Sequence, residues 1–460
     1  MKKTKKKIII ISTSILLVII IFFFSPYNYQ KKIISLLPDF VEKKVKYVLN
    51  GIYNNLPEKL RYTLYLFEIE DKLWIFNNKK VSINSLKNDY NVKFLPESQF
   101  LNLRFIKKKL FNNNNEQILG TRHIDIFNDD TLLISNLDGT FSMVKVNIMK
   151  ILEEEKLIAK KFDLDINSQI DLDINSKITD IFVDGDQLYF SFYKKKDKCN
   201  YFTISNLNLI SFKSQIFFSS KECIEEDPAG GRIQKITHNG SEGLLVTTGG
   251  YVLNQPSMKP VKDESILGKT LFFNLETKEK VIFSKGHRNP QGLLFDKENQ
   301  IILSTEHGPQ GGDEINKIEY GKNYGWPISS YGKKYDDLFF YYKGMKYDPN
   351  LIDENLKYKK SHEKYGFEEP IFAFVPSIGI SEIIKVPNNF SINWQDNYLV
   401  TSLMDKSLYR VRFSKNFDKV IFIEKIFVGH IIRDIKYSKK EKFFILSLQD
   451  KSELGFLFVE

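Results

Sequence analysis

Cysteine is nearly absent from this chain: two residues, Cys199 and Cys223, among 460. No CxxC pair and no Cys/His spacing suited to zinc occurs, which excludes a zinc-ribbon framework and a thioredoxin-like redox site. Beyond residue 60 no long stretch of helical periodicity interrupts the chain, which argues against βαβ units and a parallel sheet. No hydrophobic run after residue 24 is long enough to cross a bilayer. The net charge of +10 comes mostly from scattered lysines, with neither a basic helix nor an aromatic stacking platform. Such a distribution argues against nucleic-acid binding.

Aromatics, by contrast, are plentiful: 38 Phe and 23 Tyr. Flat side chains pack well on a pleated surface and favour strands over helices. The amino terminus has its own character. Five lysines lie among the first seven residues, and residues 8–24 are nearly all apolar. That run just spans a bilayer at about 1.5 Å per residue. No small-residue cleavage pattern follows, so residues 1–25 read as an uncleaved single-pass anchor. The lysines stay cytoplasmic, which places the remainder outside, on the periplasmic face of the inner membrane. Residues 26–60 read as a membrane-proximal stalk. In an extracytoplasmic setting Cys199 and Cys223 are candidates for a disulfide. Each borders a strand-like run, and the competing reading is two buried free thiols.

From about residue 61 to 460 the texture is of short apolar runs punctuated by Asn, Asp, Gly and Lys. Examples are LWIF at 73–76, TLLIS at 131–135, QLYFSF at 187–192, GLLVT at 243–247, IILS at 301–304, NYLVTS at 397–402 and KFFILS at 442–447. A polar turn, an apolar strand and a closing Ser or Thr recur at roughly 50–70 residues, the signature of propeller blades. The fold class is all-β, and a propeller competes with a sandwich or barrel on this pattern alone.

The segment richest in chemistry runs from Gly286 to Pro327. It reads GHRNPQG at 286–292, STEHGPQGGDEIN at 304–316 and GKNYGWP at 321–327. Arg288 and Asn289 set a fork of donors beside an amide, suited to a planar polyanion. A structural corner in which Arg288 bonds backbone carbonyls is the alternative. Residues 306–314 carry three carboxylates among glycines and a proline. Exposed backbone carbonyls and carboxylates are what Ca²⁺ takes, although an acidic turn fits too and the spacing is not that of an EF-hand.

These three pieces, in this order, resemble the signature of the glucose/sorbosone dehydrogenase family. Its members use pyrroloquinoline quinone (PQQ). The resemblance is clear over residues 227–335 and weaker over 178–192 and 397–449. It implies a six-bladed β-propeller with PQQ in a polar cleft at one end of the central channel. It also implies a histidine base on the sugar's anomeric hydroxyl, hydride passage to the quinone, a Ca²⁺ ion and stabilising arginines. Carried over by position, Arg288, Asn289, Tyr335 and Arg433 match cofactor contacts. Gly308 and Pro309 match carbonyls that hold the cofactor's Ca²⁺. Glu314 and Tyr324 match a separate calcium site of the aldose-dehydrogenase branch.

Departures from the pattern are specific. The base histidine should stand four residues before the arginine of the GRI motif at 231–233, and Pro228 stands there. A family lysine falls at Met404, the first arginine of a pair at Ile431, and a glutamine at Asn175. Asp227 is the nearest candidate for a substitute base; the competing reading is a rim carboxylate. His287 and His307 belong to the signature itself. The expected function is therefore oxidation of an aldose sugar by an extracytoplasmic PQQ enzyme, with a possible membrane electron acceptor. The alternatives are a catalytically degenerate propeller that binds a sugar, a glycan or an envelope partner, and a rigid structural platform.

Overall fold

The computed structural model describes residues 97–98, 101–118, 120–136, 138–162, 177–224, 230–250, 258–333, 358–449 and 452–459. The anchor, the stalk and the strand-like run at 73–76 lie outside the described residues, as do Asn175, Asp227, Pro228 and Tyr335. Among the described residues no helix is long and apolar enough to cross a membrane.

Among the described residues five four-stranded meanders succeed one another along the chain, and a sixth, six-stranded sheet joins strands from early and late in it. They are the blades of a six-bladed propeller. The inner strands are Thr121–Phe127, Lys177–Asp184, Gly230–His238, Pro290–Asp296, Ile380–Lys385 and Ile432–Ser438. They define blades 1 to 6 in that order. Blade 6 continues through Phe443–Leu448 and Glu453–Val459, and Leu101–Phe111 from the other end of the chain then joins it. That strand runs antiparallel to Glu453–Val459, from Leu103 opposite Val459 to Lys109 opposite Glu453. The ring is thus closed by strands from both ends of the sequence.

The core is divided into six apolar clusters, each between two adjacent blades. Phe444, Leu446, Leu448 and Leu457 of blade 6 pack on Leu399, Leu408 and Ile426 of blade 5. Phe443, Ile445, Leu454 and Phe456 of the same blade pack on Ile124, Leu132 and Ile134 of blade 1. A blade therefore buries both faces of its middle strands. This is why Phe443–Leu448 is buried at every position rather than at alternate ones.

All six inner strands share one irregularity: a register shift near the start. The breaks fall between Thr121 and Ile124, Ile178 and Asp180, Gly230 and Ile233, Pro290 and Gly292, Ile380 and Ile383, and Ile432 and Asp434. A bulge takes residues out of the ladder and re-aims their side chains. Those freed here are Arg122 and His123, Thr179, Gly231 and Arg232, Gln291, Ser381 and Glu382, and Arg433. In blade 3 the bulge demands glycine. Gly231 has φ +101°, and a Cβ there would lie 2.1 Å from Thr179 Oγ1.

The bulges gather charge in the ring's centre. Arg232 NH1 lies 3.0 Å from Asp180, 3.0 Å from Glu382 and 3.6 Å from Asp434. One guanidinium therefore ties blades 2, 3, 5 and 6, and its Nε also donates to the Gln291 carbonyl of blade 4. The carboxyls respond unequally. Burial, against Arg232 nearby, pushes Asp180 up to about 6 and Glu382 up to about 7. Asp434, although buried, is held well below the usual carboxylate range by Lys436, His123 and Arg232.

Cys199 and Cys223 are joined as a disulfide with Cα atoms 5.0 Å apart. It links the start of strand Cys199–Asn208 to the segment that follows Ser214–Ser219, where Asn200 also pairs with Ile224.

Candidate functional site

The corner before the inner strand of blade 4 carries the GHRNPQG run. His287 is fully buried and its Nδ1 lies 2.5 Å from Glu306 Oε1, while its Nε2 lies 2.7 Å from Ser284 Oγ. The other oxygen of Glu306 accepts from the Arg288 backbone N–H at 2.9 Å. Burial pushes the Glu306 carboxyl up, but His287 and these donors outweigh it and hold the group below its ordinary value. His287 and Glu306 are thus the bracket that fixes the corner. The side chains they leave to project are Arg288 and Asn289.

Arg288 NH1 donates to the His307 carbonyl at 2.8 Å, and its guanidinium lies over the Trp326 ring, 5.2 Å from the centroid. From Asn289 a chain of polar contacts runs around the ring. Asn289 Nδ2 is 3.3 Å from His307 Nδ1, and Asn289 Oδ1 accepts from Gln291 Nε2 at 2.7 Å. Gln291 Oε1 accepts from Arg433 NH1 at 2.8 Å, and Arg433 Nε donates to Gln449 Oε1 at 2.7 Å. Arg288, Asn289 and Arg433, separated by more than a hundred residues of chain, thereby converge on one network. Burial, with Arg232 and Arg122 nearby, pushes the Arg433 guanidinium down to about 9. Burial also pushes the His307 imidazole down to about 4. Asp313 opposes that shift, and Arg433 and Arg288 add to it. His307 is therefore neutral at physiological pH, and its buried Nε2 has no hydrogen-bond partner among the described residues.

The carboxylates expected to bind a cation divide between two roles. Asp313 is spent on structure: it accepts from Gly308 N (3.1 Å), Ser377 Oγ (2.9 Å), Ile378 N (3.0 Å) and Ile380 N (2.9 Å). Those bonds shape the turn carrying Gly308 and Pro309. Gly308 itself is packed so closely that a Cβ would meet the Gly312 carbonyl at 2.1 Å. Glu314 sits opposite Glu306 across the strand pair. Burial, and then the Glu306 charge, push its carboxyl well above the ordinary value. Asn316 Nδ2 bridges the two carboxylates at 3.4 and 3.3 Å, and its Oδ1 is buried with no partner among the described residues. A raised carboxyl beside an orphaned amide oxygen suits a hard cation. Tyr324 does not bring its phenol there. Its hydroxyl donates to the Lys317 carbonyl at 2.5 Å and accepts from Glu319 N at 3.0 Å, and its ring stacks on His287. Only its backbone remains to bind an ion.

Among the described residues one group of metal-ligating side chains has the spacing for an ion, His123 with Asp180 and Asp434. The Arg232 guanidinium already stands against it, with NH1 3.0 Å from His123 Nδ1. Of the positions where the sequence departs from its resemblance, Met404 is 36% exposed and puts no charge into the site.

Residues 121–455 match the family model described as Glucose / Sorbosone dehydrogenase. The chain belongs to the glucose/sorbosone dehydrogenase family. It is 31% identical over 175 residues to an aldose sugar dehydrogenase of Escherichia coli, covering 38% of this chain and 42% of that protein. It is 29% identical over 173 residues to an uncharacterised protein of Synechocystis, covering 38% of each. The matched stretch thus spans less than half the length of these relatives. The apo-form crystal structure of the soluble E. coli aldose sugar dehydrogenase superposes with a TM-score of 0.57 at 19% identity. It covers 78% of this chain and 100% of that one. The PQQ-bound aldose sugar dehydrogenase of Streptomyces coelicolor gives 0.53 at 14% identity, covering 79% and 100%. In family and fold this chain is a six-bladed propeller of the glucose/sorbosone dehydrogenase family.

Sequence reasoning named Arg288, Asn289 and Arg433, which the structure joins in one network, but not the residues that connect them. Gln291 stands in the same RNPQG run, and Trp326 in the NYGWP run, so both were visible as letters. Their roles depend on contacts with distant strands. Gln449 lies outside every motif.

Proposed function

We propose that this protein is an extracytoplasmic, membrane-anchored dehydrogenase that oxidises an aldose sugar with PQQ. The observation that carries this reading is the continuous network joining Arg288, Asn289, Gln291 and Arg433. It sets two guanidiniums and two amides together, a donor set fitted to a planar polycarboxylate. A PQQ-bound enzyme of the same fold exists in Streptomyces coelicolor, which supports the choice of ligand.

When bound, PQQ supplies the acceptor for the two electrons and the hydrogen leaving the sugar's anomeric carbon. The protein's part is positioning and charge. Arg288, held over Trp326, and Arg433, held by Gln291 and Gln449, would bind carboxylates and favour developing negative charge nearby. Neutral His307 helps hold Asn289 in place, its Nδ1 3.3 Å from Asn289 Nδ2. Ca²⁺ would be held by the Gly308 and Pro309 carbonyls, with a second ion at Glu314, Asn316 Oδ1 and the Tyr324 backbone. The anomeric hydroxyl proton needs an acceptor. Pro228 cannot provide one, and Asp227 is assigned that role. The electrons would leave to a membrane acceptor near the anchor, and the Cys199–Cys223 disulfide supports an oxidising compartment.

A second reading has its own support. Met404 and Ile431 stand where cations are expected, which favours a propeller that binds a sugar, a glycan or an envelope partner without redox chemistry. Titrating PQQ with Ca²⁺ into the purified full-length chain, followed by the cofactor's absorbance, separates the two. Saturable binding that weakens in Arg288→Ala supports the dehydrogenase. No binding at high micromolar PQQ refutes it.

A further inference from the structure

In each blade the turn between the second and third strands lies where the inner strand begins, on the face of the ring that carries the candidate site. In blade 4 that turn follows Glu306 and holds His307, Gly308 and Pro309; in blade 6 it follows Leu448 and holds Gln449. In five blades the second strand stops at the residue opposite the last one before the bulge. These are Asn136 opposite Thr121, Thr248 opposite Gly230, Glu306 opposite Pro290, Ser402 opposite Ile380 and Leu448 opposite Ile432. Blade 2 departs from the rule. Its matching residue is Phe192, opposite Ile178, yet the strand Gln187–Lys196 runs four residues further. The third strand, Cys199–Asn208, follows it to the end, with Cys199 opposite Lys196. At ~3.3 Å per residue, this hairpin stands roughly 13 Å above the level at which the other second strands end.

The arm is charged and held at its base. Lys194, Lys195, Lys196 and Lys198 share it with a single carboxylate, Asp197. Lys195, Lys196 and Lys198 are exposed, and none of the four ammonium groups has an ion-pair partner among the described residues. Glu222, on the flanking segment, is occupied by Ser265 Oγ, Ile266 N and Lys259 Nζ, each at 3.0 Å. Stiffness comes from the Cys199–Cys223 disulfide and from Asn200, whose N–H donates to the Ile224 carbonyl at 2.7 Å and whose carbonyl accepts from Ile224 N at 3.2 Å. An arm fixed in this way loses little freedom when it binds. Residues 194–200 are Lys, Asp, Cys and Asn alone. They offer no apolar face to insert into lipid, and lysine is depleted from the cores of protein interfaces. Solvated ammonium groups in a row suit a hydrated partner with repeated negative charge.

We propose that this hairpin is a cationic arm that gathers an anionic glycan onto the site face, binding the carboxylates of a uronate chain whose reducing end reaches the mouth of the candidate site. The choice of a sugar rests on the dehydrogenase reading; the recognition of charge by the arm does not.

The test titrates the purified full-length chain by calorimetry with tetragalacturonate, with neutral maltotetraose and with a tetraglutamate peptide, at low and high salt. The variant combines Lys195→Gln, Lys196→Gln and Lys198→Gln. Tetragalacturonate should bind more tightly than either comparison, and salt should weaken it. The triple variant should bind it about 10-fold more weakly, while arginine at the same three positions keeps the affinity. The three side chains are exposed, so the melting temperature should not move and a loss of binding is not a loss of folding. Binding by the triple variant within twofold of wild type overturns the arm, as does equal binding of maltotetraose. Tetraglutamate bound as tightly as tetragalacturonate overturns the glycan and points to an acidic protein. Lysine-dependent binding of tetragalacturonate by a chain that takes up no PQQ supports the arm and removes the dehydrogenase reading. Uptake of PQQ with no binding of tetragalacturonate overturns the arm and leaves that reading standing.

Discussion

Replacing Arg232 with methionine removes the guanidinium that faces Asp180 and Glu382 at 3.0 Å and Asp434 at 3.6 Å. Methionine fills much of the same volume, so the loss is one of charge. Removing one partner from a buried ion pair costs about 3–5 kcal/mol, because the remaining charge has no compensation. Lys436 stays to serve Asp434, so the burden falls on Asp180 and Glu382. Those two carboxyls already sit at about 6 and about 7 with the guanidinium present, and without it they rise further. A carboxyl raised above its unfolded value of about 4 stabilises the fold at low pH and loses that contribution as pH rises through its folded value. The penalty of Arg232→Met should therefore be small near pH 4.5 and grow as pH rises from about 6 toward the still higher values the two carboxyls take in the variant. Urea unfolding at pH 5 and pH 8 measures it. At pH 8 the expected loss corresponds to a fall in melting temperature of about 6–10 °C, taking roughly 2 °C per kcal/mol for a domain of this size. A penalty under about 1 kcal/mol at pH 8, or one that does not change between the two pH values, refutes the hub.

Three further outcomes follow from the geometry. Reduction of the disulfide, or Cys199→Ser, should destabilise by about 3 kcal/mol, as for a closed loop of some two dozen residues; unchanged unfolding midpoints with and without reductant would contradict it. Glu306→Ala leaves His287 Nδ1 and the Arg288 N–H buried without their acceptor and should cost about 2–4 kcal/mol; it should also weaken PQQ binding, which titration reads directly. Gly231→Ala forces a Cβ onto Thr179 at a positive φ and should lower stability by more than about 2 kcal/mol, whereas Gly185→Ala, with nothing within 4 Å of the added atom, should cost less; equal melting temperatures for the two variants would refute the reading of the bulge.

Where the signal was local, the chain could be read. The apolar runs at 131–135, 187–192, 243–247, 301–304, 397–402 and 442–447 all fall on or overlap blade strands. Successive inner strands begin 52–60 residues apart except between blades 4 and 5, where the gap is 90, so the repeat was visible but irregular. The signature corner was legible because Arg288, Asn289 and Glu306 are brought together by two neighbouring strands. Three things could not be read. The closing strand Leu101–Phe111 looks like any other apolar strand, and its partner lies at the far end of the chain. The bulges carry no common residue type, being Arg, Thr, Gly, Gln, Ser and Arg at equivalent places. Tyr324 sits in the expected motif, yet its phenol is taken by a carbonyl seven residues away, a contact that no residue pattern announces.

The closure of the ring has a consequence for how the protein is made. Leu103 pairs with Val459, so the join that completes blade 6 cannot form until the last strand has been synthesised. Until then blade 1 presents Ile124, Leu132 and Ile134 with no blade 6 against them, and Leu101–Phe111 offers an unpaired strand edge of the kind that invites wrong partners. Entropy is not the obstacle, since bringing distant ends together costs only about 0.6 kcal/mol more for each doubling of the loop. Time is: Leu101–Phe111 must wait for its partner Glu453–Val459 to be translated, and its safety depends on what shields it meanwhile.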